Sequence, residues 1–194
     1  MSRRRGVPAA APSSSVSTTS TVACWVAPTH GRRASRLESD VPKPPSSVPN
    51  VPPLPSVPAP QGFYVPAVVS GTVVASAGMT PRVDGALAVR GVVGTDLTVA
   101  EAASAAGVAA RNALAAVGSA AGGLERLDRC IRMTVFIACA PGFTELSAVA
   151  DGASAALAQY VGEAALPARS AIGVLALPSG APVEVELTAT VKSG

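Results

Sequence analysis

Three charged residues near the C-terminus stand where a sheet would ordinarily be apolar. In "LPARSAIGVLALPSGAPVEVELTATV", Arg169 heads one period-2 run, and Glu184 and Glu186 recur two apart in the next. Charges in a half-buried sheet must face water or bind something. A guanidinium presents a rigid fork of donors that suits bidentate capture of a carboxylate. From position alone, a rim salt bridge for Arg169 and a solvated face for the two glutamates are the commoner outcomes. Tyr64, beside Phe63, opens the first apolar run and reads equally as an edge aromatic or a ligand contact.

Other chemistry is narrowed by composition. The sole histidine, His30, lies near the N-terminus, and Lys192 is the only lysine after residue 60. A His-based triad or base and a Schiff-base lysine are therefore not expected in the domain. There is no metal-ligand cluster and no GxxxxGK[ST] phosphate loop; "GSAAGG" follows a helical run and reads as its cap. Cys24, Cys130 and Cys139 are odd in number. The last two would lie about 30 Å apart along one strand, so free thiols in a reducing compartment are expected.

The elements that must position these groups occupy only part of the 194 residues. Twelve of the 18 prolines fall in residues 1–60, which carry seven basic residues against two acidic ones. Residues 61–194 carry eight against ten. The net charge of +3 thus belongs to the N-terminal part, and the mildly acidic domain argues against a nucleic-acid surface. Residues 1–40 read as a basic Ser/Arg-rich tail; its composition would suit a transit peptide or an over-extended reading frame, but disorder is favoured over targeting. Residues 41–60 read as a Pro-rich linker, in part polyproline II. The stretch 99–121 is apolar but interrupted by Glu101, Arg111 and Asn112, so no membrane span is expected.

From Gln61 onward the pattern gives β-β-(β)-α-β-α-β-β. Two strands meet at Ser70-Gly71, and a turn falls at Asp84-Gly85. The first helix opens on a Thr98–Glu101 capping box and ends at Gly122-Gly123. Met133–Ile137 forms the middle of a central strand. A second helix is expected to start at Pro141, with Gly152 marking a kink or an end. The last two strands are expected to form a hairpin around Ser179-Gly180, pairing Arg169 near residue 190 and leaving Glu184 about 20 Å away along the strand. This is an α+β layer, a mixed sheet with two helices on one face. Its small side chains favour burial against neighbouring subunits.

In order along residues 55–191, "GFYVPAVVSGTVVASAGMTP", "NALAAVGSAAGGLERLDRCIRMTVFIACAPGF" and "PARSAIGVLALPSGAPVEVELTATV" resemble the reactive-intermediate deaminase (RidA/YjgF) family. The resemblance implies a chorismate-mutase-like fold and a cytoplasmic homotrimer with clefts between subunits. It also implies hydrolysis of 2-imino acids, formed from enamines, to 2-keto acids and ammonia, with no cofactor and no metal. Arg169 then matches the arginine that holds the substrate carboxylate, Glu184 the glutamate that positions water, Tyr64 the tyrosine of "PYS", and Gly78 the glycine of "SGQ". The chain departs from the pattern at Ala77 (serine in the family), Met79 (glutamine), Asp151 (asparagine) and Ala171 (cysteine), where the backbone would be the working part. Fold transfers more safely than activity across such changes. The readings that follow are a deaminase, or a non-catalytic binder of a small carboxylate on the same trimer. A ribonuclease fits least, given the acidic domain without histidine. If Arg169 and Glu184 cooperate, a neighbouring subunit is expected to bring them together.

Overall fold

The computed structural model describes residues 51–192; the tail, His30, Cys24 and the first ten residues of the proposed linker lie outside the described residues. Residues 67–76 form the first hairpin, β1 (Ala67–Ser70) and β2 (Val73–Ser76), turned through Gly71 at φ 59°. Two short strands, β3 (Arg82–Val83) and β4 (Ala86–Leu87), flank the Asp84-Gly85 turn. Helix α1 runs Val99–Ala121. Thr98 and Glu101 make the reciprocal cap expected of them, and Gly122 closes the helix in the left-handed region at φ 87°. There follow β5 (Leu127–Ala138), α2 (Leu146–Val161), β6 (Ala168–Val174) and β7 (Val183–Val191).

The five long strands form one mixed sheet in the order β1-β2-β7-β5-β6. Only β5 and β6 are parallel. The crossover between them is α2, as a parallel pair requires. Strand β5 is central as expected, and β6 is an edge strand. Alternation along β7 sorts the faces: Val183, Val185, Leu187 and Ala189 are buried under the helices, while Glu184, Glu186 and Thr188 face the opposite side. Helix α1 lies over β7 and β2, and α2 over β6 and β5.

The helices approach each other closely because their contact face is nearly all alanine and glycine. Ala102, Ala106, Ala109 and Ala113 are fully buried. A Cβ added at Gly107 would stand 3.3 Å from the Gly152 carbonyl oxygen, and one at Gly152 would overlap the Ala103 carbonyl. Gly152 therefore neither kinks nor ends α2; it permits backbone-to-backbone contact. Nor does Pro141 start the helix: α2 begins at Leu146, after a short loop. Among the described residues, Asn112 is the buried polar residue of the core. Its Nδ2 donates to the carbonyls of Thr80 (3.1 Å) and Arg82 (2.9 Å), fixing the loop that follows β2. Leu54 and Val57, within the Pro-rich stretch, pack against this core. Cys130 and Cys139 are free thiols, and burial pushes the Cys130 thiol up to about 11.

The expected hairpin of the last two strands does not form. Strand β5 lies between them, pairing parallel with β6 on one side and antiparallel with β7 on the other. Arg169 sits opposite Met133, and it is Cys130 and Arg129, not Arg169, that face Ala189 and Thr190. The "PSGAP" segment does turn tightly, with Ser179 at φ 58°. It is held by other parts of the chain: Arg82 Nη2 donates to Ser179 Oγ (3.1 Å), Arg90 to the Ser179 carbonyl, and the Gly91 N–H to the Gly180 carbonyl (3.1 Å).

Candidate functional site

The residues singled out from the sequence separate into two groups on one chain. The first gathers at the start of β7. Met79 and Val185 exchange two backbone hydrogen bonds of 2.9 Å, which bring the segment after β2 alongside Glu184. Gly78 lies so close to the Glu184 carboxylate that any Cβ there would overlap Oε1. Glycine is required at 78 for this approach, not for an unusual φ. Ala77 is tied back through its N–H to the Pro66 carbonyl (2.8 Å). Tyr64 precedes β1 by three residues, so it opens a loop and not the strand, and it is 46 % exposed. Its hydroxyl accepts from the Gln61 N–H at 3.2 Å. Pro58, Gln61, Tyr64, Gly78, Thr80 and Arg82 line a small depression here.

Glu184 is half-buried, and its pKa is raised above the ordinary 4.5, first by desolvation and second by repulsion from Glu186. Glu186, on the same face, is exposed. The pair is thus unequal: one carboxylate is solvated, and the other is held against backbone in a poorer dielectric.

The second group stands where β6 meets α2. Arg169, second residue of β6, turns toward the helix. Its Nη1 donates to Asp151 Oδ1 at 2.9 Å and to Ser154 Oγ at 2.7 Å. The Arg169 side chain is 21 % exposed and that of Asp151 70 %. Both protons of Nη1 are thereby used, whereas Nε and Nη2 have no protein partner among the described residues. Ala171 lies two residues on along the same face of β6, partly buried against the core. As β6 is an edge strand, half of its peptide groups are unpaired among the described residues.

Ser154 was not singled out from the sequence. Its signal was the spacing, three residues beyond Asp151 on one helix face. From the sequence, Arg82 and Asn112 carry no assigned role either. A polar side chain within the alanine-rich run of α1 was the available hint for Asn112.

The register sets the two groups apart. Met133, opposite Arg169, and Phe136, opposite Glu184, are three residues apart on β5, an odd number. Arg169 and Glu184 therefore point to opposite faces, with backbones roughly 14 Å apart at ordinary strand spacings. They do not meet within one chain. Among the described residues no three of His, Cys, Asp or Glu converge as a metal site, and no helix is long and apolar enough to cross a membrane.

Comparison with known proteins agrees with this architecture. Residues 48–189 match the family described as "YjgF/chorismate_mutase-like, putative endoribonuclease". The protein TCP17 of Trypanosoma cruzi is 39% identical over 134 residues, covering 69% of this chain and 84% of that protein. The crystal structure of Atu1372 from Agrobacterium tumefaciens, a protein of unknown function, is 38% identical with TM-score 0.65, over 69% of this chain and 86% of that one. The crystal structure of E. coli TdcF with bound serine is 25% identical with TM-score 0.52, over 74% of this chain and 98% of that one. With its mixed sheet, paired helices and matching segments from residue 48 to 189, the chain belongs to the RidA/YjgF family.

Proposed function

We propose that the protein is a hydrolytic deaminase of small 2-imino acids, working in the cytoplasm as a homotrimer. Each site is shared: Arg169, Asp151, Ser154 and Ala171 of one copy face Tyr64, Ala77, Gly78 and Glu184 of the next. The observation that carries this reading is the Glu184 carboxylate, half-buried against Gly78 with a raised pKa, on a chain that keeps the carboxylate-binding arginine. Two dissimilar half-sites on one chain complete each other in a head-to-tail ring, which closes when the rotation allows. The solved E. coli relative with bound serine adds an amino acid as the size and type of ligand.

The chemistry asks little of the protein. The iminium carbon of R–C(=NH2⁺)–COO⁻ is already electrophilic. Arg169 holds the carboxylate through Nε and Nη2, which fixes the orientation of the carbon. Glu184 accepts a proton from a water as its oxygen bonds to that carbon. The resulting carbinolamine takes that proton on nitrogen. Its hydroxyl then gives its own proton to Glu184 as the C=O forms and the C–N bond breaks. The departing ammonia takes this proton, so the products are the 2-keto acid and ammonium and Glu184 is again a carboxylate. A carboxylate whose pKa lies above the usual range is a better base for this step near neutral pH than a solvated one.

A second reading, a non-catalytic binder of small carboxylates, is favoured by Ala77 and by the Asp151 carboxylate already resting on Arg169. Imino acids freshly generated by an amino-acid oxidase separate the two. The full chain should speed ammonia release well above the buffer rate, and Arg169→Ala should reduce kcat/KM by about a hundredfold or more. Binding without any acceleration would leave the binder.

A further inference from the structure

We infer that Asp151 makes the Arg169 half-site selective for dipolar acids, those carrying a positive nitrogen near the carboxylate, over plain monoanions of the same shape. This rests on the reading of Arg169 as the carboxylate anchor and assigns Asp151 a role of its own. The family pattern has a neutral asparagine here. This chain has a carboxylate 2.9 Å from the anchoring guanidinium and 70 % exposed.

The geometry is specific about what is left free. Asp151 uses Oδ1 on Arg169 Nη1, and Ser154 takes the other Nη1 proton. Nε and Nη2 stay open to an incoming carboxylate, and Asp151 Oδ2 has no protein partner among the described residues. The site thus offers a cation and an anion side by side, with little net charge. A monoanion meets a guanidinium already partly neutralised, and a like charge beside it. An iminium acid or α-amino acid meets an attractive group at each end. A hydrolytic deaminase gains from this asymmetry: its substrate carries the positive nitrogen, and its keto-acid product has lost it. Asp151 would favour entry of the first and departure of the second. It acts through binding, as a specificity residue, and takes no part in bond-making.

L-alanine and L-lactate test the idea, because they differ only by an ammonium in place of a hydroxyl. Their affinities for the full chain are compared by calorimetry in low salt, for wild type, Asp151→Asn and Arg169→Ala. Wild type should prefer L-alanine by about threefold to tenfold, in keeping with a partly exposed charge pair. Asp151→Asn, nearly isosteric and at an exposed position, should abolish or reverse the preference, mainly by strengthening lactate. An unchanged ratio in Asp151→Asn overturns the inference, as does wild type binding lactate more tightly or binding neither acid. Arg169→Ala tells the two levels apart. If it removes both ligands while Asp151→Asn leaves the ratio unchanged, only the selectivity is wrong. If it leaves both affinities intact, the anchor itself is misplaced and the inference falls with it.

Discussion

Arg169 and Glu184 project from opposite faces of one sheet, with the whole of β5 between their strands. A chain that uses both on one ligand must borrow one of them from another copy. Complementation follows. Arg169→Ala and Glu184→Gln should each be nearly inactive alone. Unfolded together in equal amounts and co-refolded, they should recover about a quarter of wild-type activity, because one random pairing in four rebuilds an intact shared site. Recovery of nothing, from mixed assemblies verified by mass, would contradict the shared site.

The raised pKa of Glu184 has two consequences of definite sign. In the proposed reaction water activation needs the carboxylate, so kcat/KM should fall as pH drops through the raised value, at a higher pH than an ordinary glutamate would give. Folding responds oppositely. The folded state holds this proton more tightly than the unfolded state does. The associated stability is complete below pH 4.5 and is lost as pH rises through the folded value. Glu184→Gln should therefore flatten the stability curve in that window and leave a protein at least as stable near neutral pH, as urea titrations across pH would read.

Gly78→Ala separates position from stability. The new methyl would overlap a carboxylate at the free end of a side chain, which can rotate away. Thermal stability should change by less than about 1 kcal/mol. Turnover should fall about tenfold or more, since Glu184 leaves the position it holds in the proposed site.

Gly152→Ala should do the reverse. Its methyl would overlap the Ala103 carbonyl, which is helix backbone and cannot swing aside. Pushing α2 off α1 should cost about 1–3 kcal/mol, seen as a lower Tm. The same shift moves Asp151 and Ser154 relative to Arg169, so ligand affinity should weaken as well.

Local signals in the chain were good guides where local chemistry decides the outcome. The Thr98–Glu101 box and the Gly122-Gly123 pair bound α1 as expected, and the β1–β2 turn falls at Gly71-Thr72, one residue beyond the expected Ser70-Gly71. Local signals mislead where a distant segment competes. "PSGAP" between two alternating runs has the form of a hairpin, but β5 offers β6 and β7 each a longer partner, and nothing near residue 180 reveals that. Gly152 carried the usual meaning of a helix breaker because its actual neighbour, Ala103, lies 49 positions earlier. Arg169, Glu184, Tyr64 and Gly78 gain their site roles in the sequence only by their match to the family motif. Their division between two faces is not legible there, since it depends on which strand lies between them.

The free edge of β6 bears on solution behaviour. Its peptide groups, unpaired among the described residues, run beside two exposed apolar side chains, Ile172 at 41 % exposure within the strand and Leu175 at 94 % just past its end. Neither a proline within the strand nor a lysine guards it. A solitary protomer would offer a ready template for strand addition by any other β-rich chain. On the proposed trimer, dilution, normally a remedy for clumping, should thus make this protein stickier by parting its copies.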